Sequence, residues 1–402
     1  MQGNVQSIDY MDTRSRWISK DYKNLPPGSY EVYAFADYDD RIKESNEDDN
    51  YSSKVTFTIQ DTNLTAQSIE LLSKDRKPVQ FLTKGEEYVA KVIYQNTGET
   101  TVNEHQVSLE SGNSTLSTVS VGKLAPGSKR TTYIDFSPVK SGKQLFTAFV
   151  DSKDDIRESN EDDNKVSTNI HVNTKPEITI SYTPAEVYEG DKVNVCIVPT
   201  DEDNDPLKVT IEMDKRSTGY KQVHSQTGVK SGQKICYVID KAEVGKYSFK
   251  GTVDDGYNDA EATISFNAQP LTIRGEVNHT ATWLKRHLES GNDPSEFYSG
   301  EKFILIAHTT KYPISNLTVK MDAKQEKGSS YTPTINIKPT NTGKHEGEHE
   351  DPSLLEPGTT LKSGPVTFEF KVVYQNGVVK TDKVTVQIIG DVYDLFKLHR
   401  KY

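Results

Sequence analysis

Apolar and polar residues alternate along this chain in short runs that recur from one end to the other. TYIDFSPV (132–139), LFTAFVD (145–151) and VSTNIHV (166–172) form one group, and KVNVCIV (192–198), KVTIEM (208–213), KICYVI (234–239) and YSFKGTV (247–253) form a second. FILIAHT (303–309), TFEFKVVY (367–374) and KVTVQII (383–389) form a third. A period of two places alternate side chains on opposite faces, which is the mark of a half-buried β-strand. Turn sequences such as NTGE, APGS, VGK and QNGV separate the runs. Short strands with Gly, Pro and Asn between them predict antiparallel sandwiches. Helical spacing of apolar residues is nearly absent. The fold class expected is all-β, a tandem of immunoglobulin-like β-sandwiches.

A repeat sets the boundaries. Residues 34–50 read AFADYDDRIKESNEDDN and residues 148–164 read AFVDSKDDIRESNEDDN, identical at twelve of seventeen positions with an offset of 114. A repeat of this length is one structural unit used twice. The second copy closes a unit spanning 61–172. The first copy has too few residues before it for a whole sandwich, so 1–60 reads as the closing part of one, the first unit being incomplete. Residues 173–269 make a third unit and 270–402 a fourth, β-rich one.

Hydrophobic residues are 33% of the 402, which suits several small two-layer domains better than one large core. The net charge is −11, and each copy of the repeat, with seven acids against two bases, carries −5 of it. An acidic balance argues against nucleic acid and anionic membrane surfaces as partners. No run of about eighteen apolar residues predicts a membrane span, and no charged-then-apolar leader after Met1 predicts a signal peptide.

VAKVIYQNTGET, VGKLAPGSKRTTYIDF and LFTAFVDSKDDIRESNEDDN make the second unit similar to the CARDB family, an immunoglobulin-like domain of bacterial and archaeal surface proteins. The matching residues are Val150, Asp151, Ile156, Glu158, Ser159, Asn160, Glu161 and Asn164; in residues 1–60 only the last part of the pattern remains, at Asp37, Ile42, Glu44, Ser45, Asn46, Glu47 and Asn50. The third unit, through EGDKVNVCIVPTDEDNDPLKVTIEM and GKYSFKGTVDDGYNDAEATISF, resembles cadherin-like or PKD-like sandwiches. The fourth resembles a C-terminal segment of large Gram-positive surface proteins through GEVNHTATW, FYSGEKFIL and YQNGVVKTDKVTV. These resemblances imply adhesion, spacing or display at a cell surface.

The candidate chemistry is metal binding. Calcium needs roughly six to eight oxygens, and each repeated loop gathers them, at Asp37, Glu44, Glu47 and Asn50 and again at Asp151, Glu158, Glu161 and Asn164. The same residues also suit turns closed by side-chain-to-backbone bonds. Ile42 and Ile156 are expected to plug the sandwich ends. A stronger calcium candidate is Asp201, Asp203 and Asp205, whose alternate spacing aims carboxylates at one point. In the resembling sandwiches that loop lies near Glu189 and the turn holding Asp254 and Asp255. Cys196 and Cys236 fall on the second and fifth strands of the third unit, pointing outward from one sheet, and a disulfide between them competes with two free thiols. HEGEH (345–349) matches a zinc-protease pattern, but its Gly-rich flanks predict a solvated loop rather than the helix that chemistry needs. His279 and Trp283 are expected to pack near a strand end.

The expected function is a non-catalytic, calcium-stiffened adhesion or spacer stalk of an extracellular or cell-surface protein. It would be monomeric, without membrane insertion, with a surface protein or glycan as ligand. The alternative is an accessory carbohydrate-interacting region of a secreted polysaccharide-active enzyme, for which 21 Tyr but only 2 Trp are available to stack on sugars.

Overall fold

The computed structural model describes residues 25–280, 296–299, 302–324, 330–332, 334–350 and 363–391. Every regular element among them is a β-strand. Chain contacts divide the molecule into a unit of residues 1–175 with 201–204 and a unit of residues 176–200 with 205–402.

In the first unit, Gly28–Val32 pairs antiparallel with Val55–Ile59 as an isolated hairpin sheet. A whole sandwich follows. Leu64–Ser73, Tyr88–Asn96 and Lys129–Phe136 make one sheet, with Tyr88–Asn96 central. The other sheet runs in the order Phe81–Thr83, Lys165–Asn173, Gly142–Val150, His105–Ser111, Ser114–Val121. Only the short Phe81–Thr83 is parallel to its neighbour in that sheet. The inward members of each alternation meet between the layers, where Leu64, Tyr94, Leu109, Ile134, Phe146 and Val172 are fully buried or nearly so. Each such large apolar side chain contributes about 2–3 kcal/mol by leaving water.

In the second unit, Glu177–Thr183, Val193–Thr200 and Ile235–Ile239 face a sheet ordered Lys221–Val229, Leu207–Lys215, Gly245–Asp254, Asp259–Ala268. Val193, Val195, Ile197 and Ile235 point into that core, with Tyr237 and Ile239 packed at its margin. Cys196 is directly opposite Cys236 in the register, and the two form a disulfide. Cys196 is buried even though it lies on the face away from the core.

A further sandwich in the same unit sets Ile273–His279, Lys302–Thr309 and Lys344–Glu350 against a larger sheet built on Ile314–Lys324, Gly364–Tyr374 and Val379–Asp391. Phe303, Leu305, Val319, Phe368, Phe370 and Tyr374 fill its core. Gly275 is needed here, because a Cβ at that position would sit 2.3 Å from the Phe370 ring.

HEGEH is a strand, not the loop expected from its flanks. Lys344–Glu350 pairs antiparallel with Lys302–Thr309, so pairing overrides the Gly content. As a strand it separates His345 from His349 by about 13 Å, at 3.3 Å per residue, where a helix would bring them onto one face a turn apart. His345 is fully buried. Its Nδ1 accepts the Thr340 amide at 2.8 Å, so Nε2 carries the proton and donates to Thr309 Oγ1 at 2.9 Å. Burial lowers its pKa, and the neutral ring is a hydrogen-bonded core residue. His279 stacks on Phe297 at 4.1 Å between centroids, as packing near a strand end requires. Trp283 lies outside the described residues.

Candidate functional site

The two acidic loops fold alike, residue for residue. Asp37 Oδ1 and Oδ2 accept the amides of Arg41 and Ile42 at 3.1 and 2.8 Å. Asp151 does the same for Asp155 and Ile156 at 3.3 and 2.8 Å. Glu47 accepts the Glu44 amide and Glu161 the Glu158 amide, both at 2.9 Å. Asn50 takes the Ala36 amide on its carbonyl and Asn164 the Val150 amide, again both at 2.9 Å. Asp37, Asp40, Asp151 and Asp154 all have positive φ, a conformation that Asp tolerates better than most residues. The repeated acids therefore close turns by accepting backbone N–H groups.

The copies differ in what covers them. In the second, the strand entry at 61–66 clasps the loop. Glu158 accepts the Leu64 amide in a short bond and the Asn164 side chain at 3.0 Å. Asn63 donates to Asp163 at 3.1 Å and accepts the Asn160 amide at 3.0 Å. Thr65 donates to Asp163 at 2.9 Å, and the Ala66 amide meets the Asp163 carbonyl at 2.9 Å. Ile156 packs on the core, as expected. Ile42, expected to do likewise, is 63% exposed, because the described part of the first copy offers no core to receive it.

Burial pushes the Glu158 carboxyl up to about 7, against the hydrogen bonds from Leu64 and Asn164, which lower it. A carboxyl raised above its ordinary 4.5 favours the folded state when protonated. That contribution is complete below about pH 4.5 and lost as the pH rises through about 7. Asp151 is also raised, by burial first. His105 is lowered by burial and acts oppositely, since charging it as the pH falls opposes folding. Glu158→Gln isolates the one carboxyl. The stability of the parent relative to the variant should fall from pH 5 to pH 8, by about 1 kcal/mol after discounting for solvent screening of a half-buried group. Thermal melts across that range check it, and a constant difference would mean that the fold does not hold the proton.

The carboxylates of the third sandwich are dispersed among separate tasks. Asp203 Oδ2 accepts the Thr174 amide at 2.6 Å. Burial would raise its pKa, but bonds from Ser141 and Thr174 outweigh that and lower it. Asp201 is buried and Asp205 half-buried. Asp254 accepts the Gly256 amide at 2.8 Å, and Asp255 accepts those of Tyr257 and Asn258 at 2.7 and 2.6 Å. Glu189 accepts the Leu271 amide and pairs with Lys380, both at 2.7 Å. Among the described residues, no group of three or more His, Cys, Asp or Glu side chains is placed so as to hold a metal ion.

A further polar site joins the third and fourth sandwiches around Asp191, which the sequence reading missed. Its buried carboxylate accepts the Tyr188 amide at 2.8 Å, the Tyr312 hydroxyl at 2.5 Å and the Asn376 side chain at 2.8 Å. Asn376 also donates to the Glu189 carbonyl at 2.9 Å. Burial and then Asp191 push the Tyr312 phenol up to about 12. Gly190, at φ 84°, lets the hairpin tip close in, since a Cβ there would lie 2.3 Å from Val378. An open cleft of about 480 Å³ flanks the joint, lined in part by Tyr188, Lys192, Lys311 and Tyr312. The two tyrosine rings meet edge to face at 67°, not as a flat platform.

Comparison with known proteins bears on the second sandwich. No curated protein matches the chain. Among solved structures, a CARDB domain from Pyrococcus furiosus, described in complex with di-metal ions, is 19% identical, covers 29% of this chain and 97% of its own, and has a TM-score of 0.24. A domain of a candidate cell-surface protein from Methanosarcina acetivorans is 18% identical over 28% of this chain and 91% of its own, with a TM-score of 0.23. A marsupial T cell receptor is 10% identical over 77% of this chain and 98% of its own, with a TM-score of 0.31. The CARDB family model matches residues 63–168, which hold the paired sheets, the acidic loop and most of its clasp.

Proposed function

We propose that this chain is a non-catalytic modular region of an extracellular or cell-surface protein, acting as a spacer or adhesion stalk stiffened by calcium. The CARDB match supports the surface setting. The observation that carries the spacer reading is the Asp191 joint. Its polar groups bind one sandwich to the next, with Tyr188 packed against the fourth core. A spacer needs neighbouring domains held at a fixed angle. The carbohydrate reading would rest on the cleft beside that joint, whose edge-on tyrosines suit stacking on sugars poorly. A surface protein or glycan remains the class of ligand, bound by a monomer.

Calcium is the finer part of the reading, supported by the charge of the acidic loops and the alternate spacing of Asp201, Asp203 and Asp205. Binding to the folded state alone raises stability by mass action. Thermal melting in calcium should therefore exceed melting in chelator, and Asp203→Ala should abolish that gain. The variant also loses the bond to Thr174, so the metal-dependent gain decides, not the absolute midpoint. Equal melting of the parent in calcium and chelator would leave an unstiffened spacer whose acids only close turns.

A further inference from the structure

The disulfide of the third sandwich lies outside its core. Val193, Val195, Ile197 and Ile235 turn into that core, and Ile180 and Tyr182 of Glu177–Thr183 pack against it. Alternation therefore sends Ser181, Cys196 and Cys236 to the outer face. The register sets these three in one row across the sheet, with Ser181 opposite Cys196 and Cys196 opposite Cys236. Ile235–Ile239 is an edge strand, and among the described residues no strand pairs with its far side. The two cysteines are unequally placed. Cys196, on the central strand, is 5% exposed. Cys236, on the edge strand, is exposed, as is Val238 two residues on.

Thiol–disulfide exchange is a displacement. A thiolate attacks one sulfur along the line of the S–S bond, from the side opposite the sulfur that leaves. Here that bond runs across the strands, from Val193–Thr200 to Ile235–Ile239. The approach to Cys236 Sγ comes from beyond the sheet edge, which is open. The approach to Cys196 Sγ comes over the paired strand that carries Ser181. Access and direction of attack thus agree on Cys236. An exposed disulfide exchanges readily, where a buried structural one resists reduction.

We propose that the Cys196–Cys236 bridge is a thiol-exchange site that takes a small thiol at Cys236. The incoming thiolate sulfur bonds to Cys236 Sγ. The bond to Cys196 Sγ breaks, and Cys196 leaves with the electron pair and takes a proton from water. Two steps can follow. Cys196, again a thiolate, attacks Cys236 Sγ, expels the small thiol and restores the bridge. Alternatively a second small thiolate attacks the bound small-thiol sulfur, and the two leave as their own disulfide. Cys236 is then released as a thiolate, the cysteine pair is reduced by two electrons, and the two small thiols are oxidised by the same two. The sandwich survives the opening because its core lies on the other face of the sheet.

The probe is glutathione, added in excess to the oxidised full chain at mildly alkaline pH without denaturant. Acid quenching followed by peptide mass mapping reads where it is bound. Mixed disulfide on Cys236 should exceed that on Cys196 by roughly tenfold or more. The core strands Val193–Thr200 and Leu207–Lys215 should keep their amide protection throughout. Single variants give a second reading with oxidised glutathione. Cys196→Ser, which leaves Cys236 as a thiol, should become modified, and Cys236→Ser, which leaves the buried Cys196, should not. A bridge that stays intact until denaturant unfolds the chain overturns the proposal. So does equal modification of the two cysteines in the parent, since exchange through unfolding makes the sulfurs equivalent. The parent alone decides if either variant fails to fold.

Discussion

Replacing Asp191 by Ala should cost the third and fourth sandwiches about 3 kcal/mol, the net of three charge-assisted hydrogen bonds left without their acceptor. The Tyr312 hydroxyl, the Asn376 amide and the Tyr188 N–H all aim at this one carboxylate, which is 5% exposed. For a unit of this size the loss corresponds to roughly 6–12 °C in melting temperature. Asp191→Asn should cost less, since its carbonyl keeps the bonds from Tyr312 and Asn376 while its NH2 confronts the Tyr188 amide. The second readout is spectroscopic. The Tyr312 phenol, pushed up to about 12 by burial first and by Asp191 second, should fall part of the way toward the ordinary tyrosine range once the carboxylate is gone. Urea unfolding with a tyrosine titration checks both. A variant that melts like the parent and leaves the late phenol in place would mean the joint is held by apolar packing alone.

The alternation of residues was enough to read the all-β class and the outward parity of Cys196 and Cys236 in the third sandwich, because a period of two sends neighbouring side chains to opposite faces. The identity of the two acidic segments likewise encodes identical local bonding. Asp37 and Asp151 make the same pair of acceptor contacts, and both have positive φ. What stayed hidden was long-range. Asn63 meets residues nearly a hundred positions away, and Asp191 meets Asn376 at a separation of 185. No local spacing encodes such meetings. The HEGEH strand was misread for the same reason, its conformation being imposed by a neighbour that buries His345. Asp203 likewise takes the amide of Thr174, 29 residues away, a partner that no spacing reveals.

Removing the Asn63 side chain should release the second acidic loop and make it behave like the first. Asn63 is buried and clamps the loop from both ends of its amide. Its Nδ2 holds Asp163 at 3.1 Å and Thr97 Oγ1 at 3.0 Å, while its Oδ1 receives the Asn160 amide at 3.0 Å and the Ser159 hydroxyl at 3.3 Å. Asn63→Ala removes all of these and spares the backbone bonds from Ser159 to the Thr62 carbonyl and from Ala66 to the Asp163 carbonyl. The sandwich should therefore stay folded while the loop loosens. A net loss of about 2 kcal/mol is expected, which raises local opening roughly thirtyfold. Hydrogen exchange reads it directly, because the first loop is an internal control with the same turn bonds and no equivalent of Asn63 among its described contacts. Amides of 156–163 should speed up toward the rates of 42–49, and the rates of 42–49 should not change. If 156–163 exchange as slowly in the variant as in the parent, the loop is held by its own turns and the clasp is incidental.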